Sequence, residues 1–157
     1  MPSIPPIHLL SVLHLVCLSL WGGVVATEAV IELYSFRQRE MHPVAIRLHF
    51  WIDLWVELPL LLAVAGTGVV LAAMAWPLST THLIKIGCGA GAIAANLVCV
   101  VLVLRRGRQL KAGASDAELW RTTRRIVGCA AAGLPLAATA AVLGLGLAHE
   151  RMTQLLS

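Results

Sequence analysis

Four apolar runs set the limits on what this chain can fold into. They cover about residues 7–35, 43–76, 80–104 and 125–148, and each meets the roughly 20 helical residues needed to cross about 30 Å of hydrocarbon. The runs predict an all-α, integral-membrane four-helix bundle. With 59% hydrophobic and 13% charged residues, the 157-residue chain falls in the range of polytopic membrane proteins rather than soluble ones. Residues 1–157 read as one transmembrane domain.

The cations predict how the bundle is oriented. Arg37, Arg39 and Arg47 flank the first connection, and Arg105, Arg106, Arg108, Lys111, Arg121, Arg124 and Arg125 crowd the third, whereas the second, around Pro77–Thr81, has none. By the positive-inside rule both termini face outward, to the periplasm of a bacterial inner membrane, and residues 105–124 form a cytoplasmic loop. Within it Ser115 and Glu118 have capping-box spacing, which predicts a short helix leading into the fourth span. The net charge of +4 is thus explained by topology, and no nucleic-acid partner is expected.

No Lys or Arg precedes the first run, which outlasts a signal-peptide core and is expected to remain as a helix. Cys17, Cys88, Cys99 and Cys129 are scattered without a CxxC pair, so they read as small buried residues. Gly87 and Gly91 have GxxxG spacing, and the fourth run is built of Ala and Gly around Pro135. Such faces serve close packing inside the bundle or a homodimer seam. Pro59 is the expected kink point of the second helix.

The residues that carry chemistry interrupt the first two runs. Glu28 and Glu32 lie one turn apart, and His42, His49, Asp53 and Glu57 share a narrow stripe of the next helix. Ionisable groups at membrane depth are costly and point to function. A short turn near Arg37–Met41 makes the pair an antiparallel hairpin, which sets Glu32 near His49 or Asp53 and Glu28 near Asp53 or Glu57. Carboxylates and imidazole in that number match the ligands of one or two ions of iron, manganese, copper or zinc, with Glu28, Glu32, His49, Asp53 and Glu57 as the metal site. A structural alternative pairs Glu28 and Glu32 with Arg47 or Lys85, or leaves the hairpin in water. His42, just before Pro43, reads equally as a surface or capping residue.

A second set, His8, His14, His82 and His149, falls at or near the outer ends of the spans, where convergence would give a copper, zinc or haem site. His14 lies on the stripe of Glu28 and Glu32; its structural alternative is a hydrogen bond to Thr139 or Asn96, with Trp21 as packing. His14 followed by Trp21, Gly22 and Gly23 resembles the first-helix pattern of the small four-helix membrane proteins of the HemJ and CopD type. That resemblance covers one helix and implies haem b, with His14 as an axial ligand and His82 or Lys85 as its partner.

The leading expectation is therefore an intramembrane metalloprotein whose candidate reaction is oxidoreduction of a quinone, another lipid-soluble substrate or dioxygen. A haem protein, a metal or proton transporter and an accessory subunit are the alternatives. No motif in the chain fixes the reaction or a catalytic residue.

Overall fold

The computed structural model of the protein describes residues 6–156, with side chains described for 7–147. The described chain is all-helical. Helix α1 spans Pro6–Arg37, and a 3-10 turn at Arg39–Met41 reverses the chain into α2, His42–Ile52. A π turn, Asp53–Glu57, joins α2 to α3, Leu58–Met74, so that these three pieces form one long rod. Helices α4, Thr80–Lys111, and α5, Asp116–Leu156, complete the bundle. Its four rods are each long and apolar enough to cross a membrane.

The burial pattern is inverted relative to a water-soluble bundle. Leu9, Val30, Leu33, Trp55, Leu62 and Val69 are exposed, whereas Glu28, Glu32, His49, Asp53, Glu57 and Arg106 are buried. An outer surface of this kind suits hydrocarbon, and helices alone keep every backbone amide bonded there. An apolar layer of Trp21, Leu61 and Ala92, flanked by Leu18, Val25, Leu60, Ile93 and Ala137, joins α1, α3, α4 and α5.

The π turn has an identifiable cause. Pro59 has no N–H to donate one turn back, and its ring crowds that turn, so the helix before it widens. The N–H of Leu58 donates to the carbonyl of Asp53, five residues earlier. Asp53 and Glu57, at the two ends of this turn, are both buried. The expected kink at Pro59 is thus a local widening of the helix among the acidic residues.

Small residues set how closely α4 and α5 approach. A Cβ at Gly133 would lie 3.1 Å from Cβ of Ala95, and one at Gly91 would lie 3.1 Å from Cδ1 of Leu136. Gly87, the other half of the GxxxG pair, has open space where its Cβ would be, so only Gly91 of that pair serves the contact. Further along α4, a Cβ at Gly107 would sit 3.0 Å from the Phe50 ring, which lets α2 pack against α4.

The third connection is shorter than hydropathy implied. Helix α4 continues to Lys111, so residues 105–111 are helix and not loop, and the short helix expected after Ser115 is the start of α5 at Asp116, continuous with the fourth span. Gly113 adopts φ 71°, a left-handed conformation that glycine reaches without a Cβ penalty, and it makes the turn. Ser115 accepts from the Glu118 N–H through its backbone carbonyl, and the helix begun there runs unbroken into the fourth span.

Candidate metal centre

Three rods contribute to one buried polar cluster. Helix α1 supplies Glu28 and Glu32, α2 supplies His49, the π turn supplies Asp53 and Glu57, and α4 supplies Arg106, all of them buried. The hairpin of α1 and α2 brings the two acidic stripes face to face, as their spacing predicted.

His49 is the centre of this arrangement. Its Nδ1 lies 2.6 Å from Oε1 of Glu32 and 3.1 Å from Nη2 of Arg106; because Glu32 is the ionised partner of Arg106 and can only accept, Nδ1 is the donor to it. Its Nε2 is then turned toward two other carboxylates, 3.4 Å from Oδ1 of Asp53 and 3.7 Å from Oε2 of Glu28. A lone pair facing two carboxylate oxygens is repulsive unless a proton, on the ring or on one of the carboxyl groups, or a metal ion lies between them. Glu28, His49 and Asp53 each offer a ligand atom, and these atoms lie within 4.8 Å of one another. Tetrahedral ligands about 2.1 Å from an ion stand about 3.4 Å apart, the spacing found around Nε2.

The charges are unbalanced. Four buried carboxylates, Glu28, Glu32, Asp53 and Glu57, face one buried guanidinium, Arg106. Arg106 donates through Nη2 to Oε1 of Glu32 and through Nη1 to Oγ1 of Thr123, 2.8 Å away. Glu57 accepts from Nε1 of Trp21 at 3.0 Å. Glu28 Oε1, Glu32 Oε2 and both oxygens of Asp53 are buried with no hydrogen-bond donor. Buried acceptors are rarely left so, and one of them, Asp53 Oδ1, lies beside His49 Nε2.

The cluster is extended toward the helix ends. His42 is buried, with Nε2 3.0 Å from Oγ1 of Thr123 and its ring stacked on Trp120 at 3.8 Å between centroids. It is therefore not a surface residue; its backbone N–H closes the 3-10 turn on the carbonyl of Arg39, while its side chain points into the bundle. A continuous polar chain runs from His42 through Thr123 and Arg106 to Glu32 and His49.

Several partners differ from those the sequence offered. Glu32 pairs with Arg106, not with Arg47, which is exposed. The sequence places Arg106 among the loop cations that signal topology, but the structure buries it. A sign of its burial is its place on the helical stripe Ala92, Cys99, Val103 and Arg106, all of which are buried. Trp21, which the sequence assigns to packing, bonds a carboxylate of the cluster, and Thr123, which has no motif in the sequence, accepts from Arg106.

The outer histidines occupy separate settings. His14 Nδ1 lies 2.8 Å from Oγ1 of Thr67 on α3, a partner different from Thr139 or Asn96. His82 Nδ1 lies 2.7 Å from Oγ of Ser79, which caps α4. His8 is exposed, Lys85 packs its chain against Gly144, and the side chain of His149 lies outside the described residues. Among the described residues these histidines form no group of three ligands; that arrangement is found at Glu28, His49 and Asp53.

No protein-family model matches this chain, and neither a curated protein nor a solved structure matches it.

Proposed function

We propose that this chain is an integral-membrane metalloprotein of a bacterial inner membrane, with its arginine-rich helix ends in the cytoplasm. One transition-metal ion, of iron, manganese, copper or zinc, is held by His49 Nε2, Glu28 and Asp53. The observation that carries the reading is the setting of His49, with one nitrogen bonded to a carboxylate and the other aimed at two buried carboxyl groups, Glu28 and Asp53. A carboxylate behind a histidine is the usual support of a metal-binding imidazole, since it fixes the tautomer and raises the basicity of the ligand nitrogen. Glu32 has that role here, and Arg106 fixes Glu32 in turn.

Three protein ligands leave a coordination position for substrate, as catalytic sites do and closed structural sites do not. The reaction that best suits an open metal site among membrane helices is oxidoreduction of a lipid-soluble substrate such as a quinone, or of dioxygen. The metal supplies the redox or Lewis-acid chemistry. The chain's own groups hold it, exclude bulk water and keep Glu57, bonded to Trp21, beside the site as a carboxylate able to accept or release a proton.

Elemental analysis of detergent-purified protein, with its visible spectrum, tests this reading. About one transition-metal ion per chain is expected, retained in Glu118→Ala and lost in Glu28→Ala and Asp53→Ala. Equal metal content in all four proteins would refute the site. A Soret band that disappears in His14→Ala would instead establish the haem alternative.

A further inference from the structure

At the arginine-rich end of the bundle, remote in chemistry from the carboxylates, lies an open pocket of about 620 Å³. Phe36 from the end of α1, Arg39 from the 3-10 turn, and Trp120, Arg121, Arg124 and Arg125 from the start of α5 line it. We infer that it binds the phosphodiester headgroup of an anionic membrane lipid.

Charge is the first support. Four arginines line one space, and among the described residues none of the four pairs with a carboxylate. The planar fork of arginine matches phosphate oxygens two at a time, and a basic pocket between membrane helices is a suitable receptor for an anionic headgroup.

The second support is what shares the wall with those cations. The Phe36 and Trp120 rings stand 4.9 Å apart between centroids. Aromatic rings are favoured at the level of lipid headgroups, where one edge is wet and the other apolar. Trp120 is held in place by its stack on buried His42, so this wall is preformed. One turn or so toward the bundle centre, Leu33 on α1 and Val127 on α5 are exposed, an apolar surface for acyl chains leading away from the pocket. A soluble phosphate compound would have no use for that continuation. The inference needs the chain to lie in a membrane, but it does not depend on the metal.

Titration of phosphatidylglycerol into nanodiscs of phosphatidylcholine, read by native mass spectrometry, tests it. Wild type is expected to retain about one tightly bound phosphatidylglycerol per chain. Each arginine near a charged headgroup is worth roughly a fivefold factor, so Arg121→Gln/Arg124→Gln/Arg125→Gln should weaken retention by roughly a hundredfold. Arg37→Gln/Arg105→Gln/Arg108→Gln, which removes equal charge outside the pocket, should retain the lipid. If the pocket triple variant does not fold, Arg39→Gln/Arg125→Gln gives the same comparison with a smaller loss. Equal weakening in the pocket and control variants would overturn the site in favour of a diffuse basic surface. Millimolar inorganic phosphate that displaces the lipid, and binds equally well in discs of phosphatidylcholine alone, would overturn the lipid in favour of a soluble phosphate ligand.

Discussion

Arg106 on α4 and Glu32 on α1 form a buried ion pair, and the same carboxylate oxygen of Glu32 also accepts from Nδ1 of His49. One oxygen thereby ties three rods together and sets which nitrogen of His49 faces Glu28 and Asp53. Much of the chemistry of the site follows from this shared acceptor.

Removing the cation should be costly. Arg106→Gln leaves Glu32 buried without its counter-charge, and breaking one side of a buried pair costs about 3–5 kcal/mol. Arg106→Lys keeps the charge but cannot reach Glu32 and Thr123 through one rigid fork, so an intermediate loss is expected. Thermal unfolding in detergent should rank wild type above Lys and Lys above Gln. Equal stability of all three would show that the pair contributes little.

Glu32 acts on the metal through His49. In Glu32→Gln the ligand atoms remain but the histidine is less basic and less firmly oriented, for which a fall of about 10–100-fold in metal affinity is expected. Stoichiometry at saturating metal should stay at that of wild type. A metal titration followed by elemental analysis separates this result from Asp53→Ala, in which the stoichiometry itself falls.

Metal should also stabilise the fold. An ion held only by the native bundle and present at about a hundred times its dissociation constant adds about 2.7 kcal/mol. A chelator should therefore lower the unfolding temperature of wild type and leave that of Asp53→Ala unchanged. An equal response in the two proteins would place the chelator's effect elsewhere.

Trp21→Phe keeps a ring in the apolar layer and removes the donor to Glu57. A buried hydrogen bond to a charged acceptor is worth about 1.5–3 kcal/mol, and a loss of that size is expected in thermal unfolding. Trp55→Phe, at an exposed ring, should cost far less.

Gly107→Ala tests the contact between α2 and α4. The added methyl would meet the Phe50 ring at 3.0 Å, and overpacking of this kind costs about 1–3 kcal/mol. Gly87→Ala, with open space at its Cβ, should be neutral or slightly stabilising because alanine favours helix. Unfolding of the two variants in a denaturing detergent gives the comparison.

The sequence by itself determined the four rods, since a run of some 20 apolar residues has few ways other than a helix to satisfy its backbone in hydrocarbon. It also determined the two acidic stripes, because helical periodicity fixes which residues of one helix share a face, and the short turn at Arg39–Met41 fixes how α1 meets α2. Only the tertiary structure decided what faces those stripes from α4 and α5. The rotation of a helix about its axis depends on packing distant in sequence, here on Gly91 and Gly133 between α4 and α5 and on Gly107 beneath Phe50. That rotation turned the stripe of Ala92, Cys99, Val103 and Arg106 inward, which brings Arg106 to Glu32 while its neighbour Arg105 stays exposed; helical spacing says that these residues share a face but not which way the face turns.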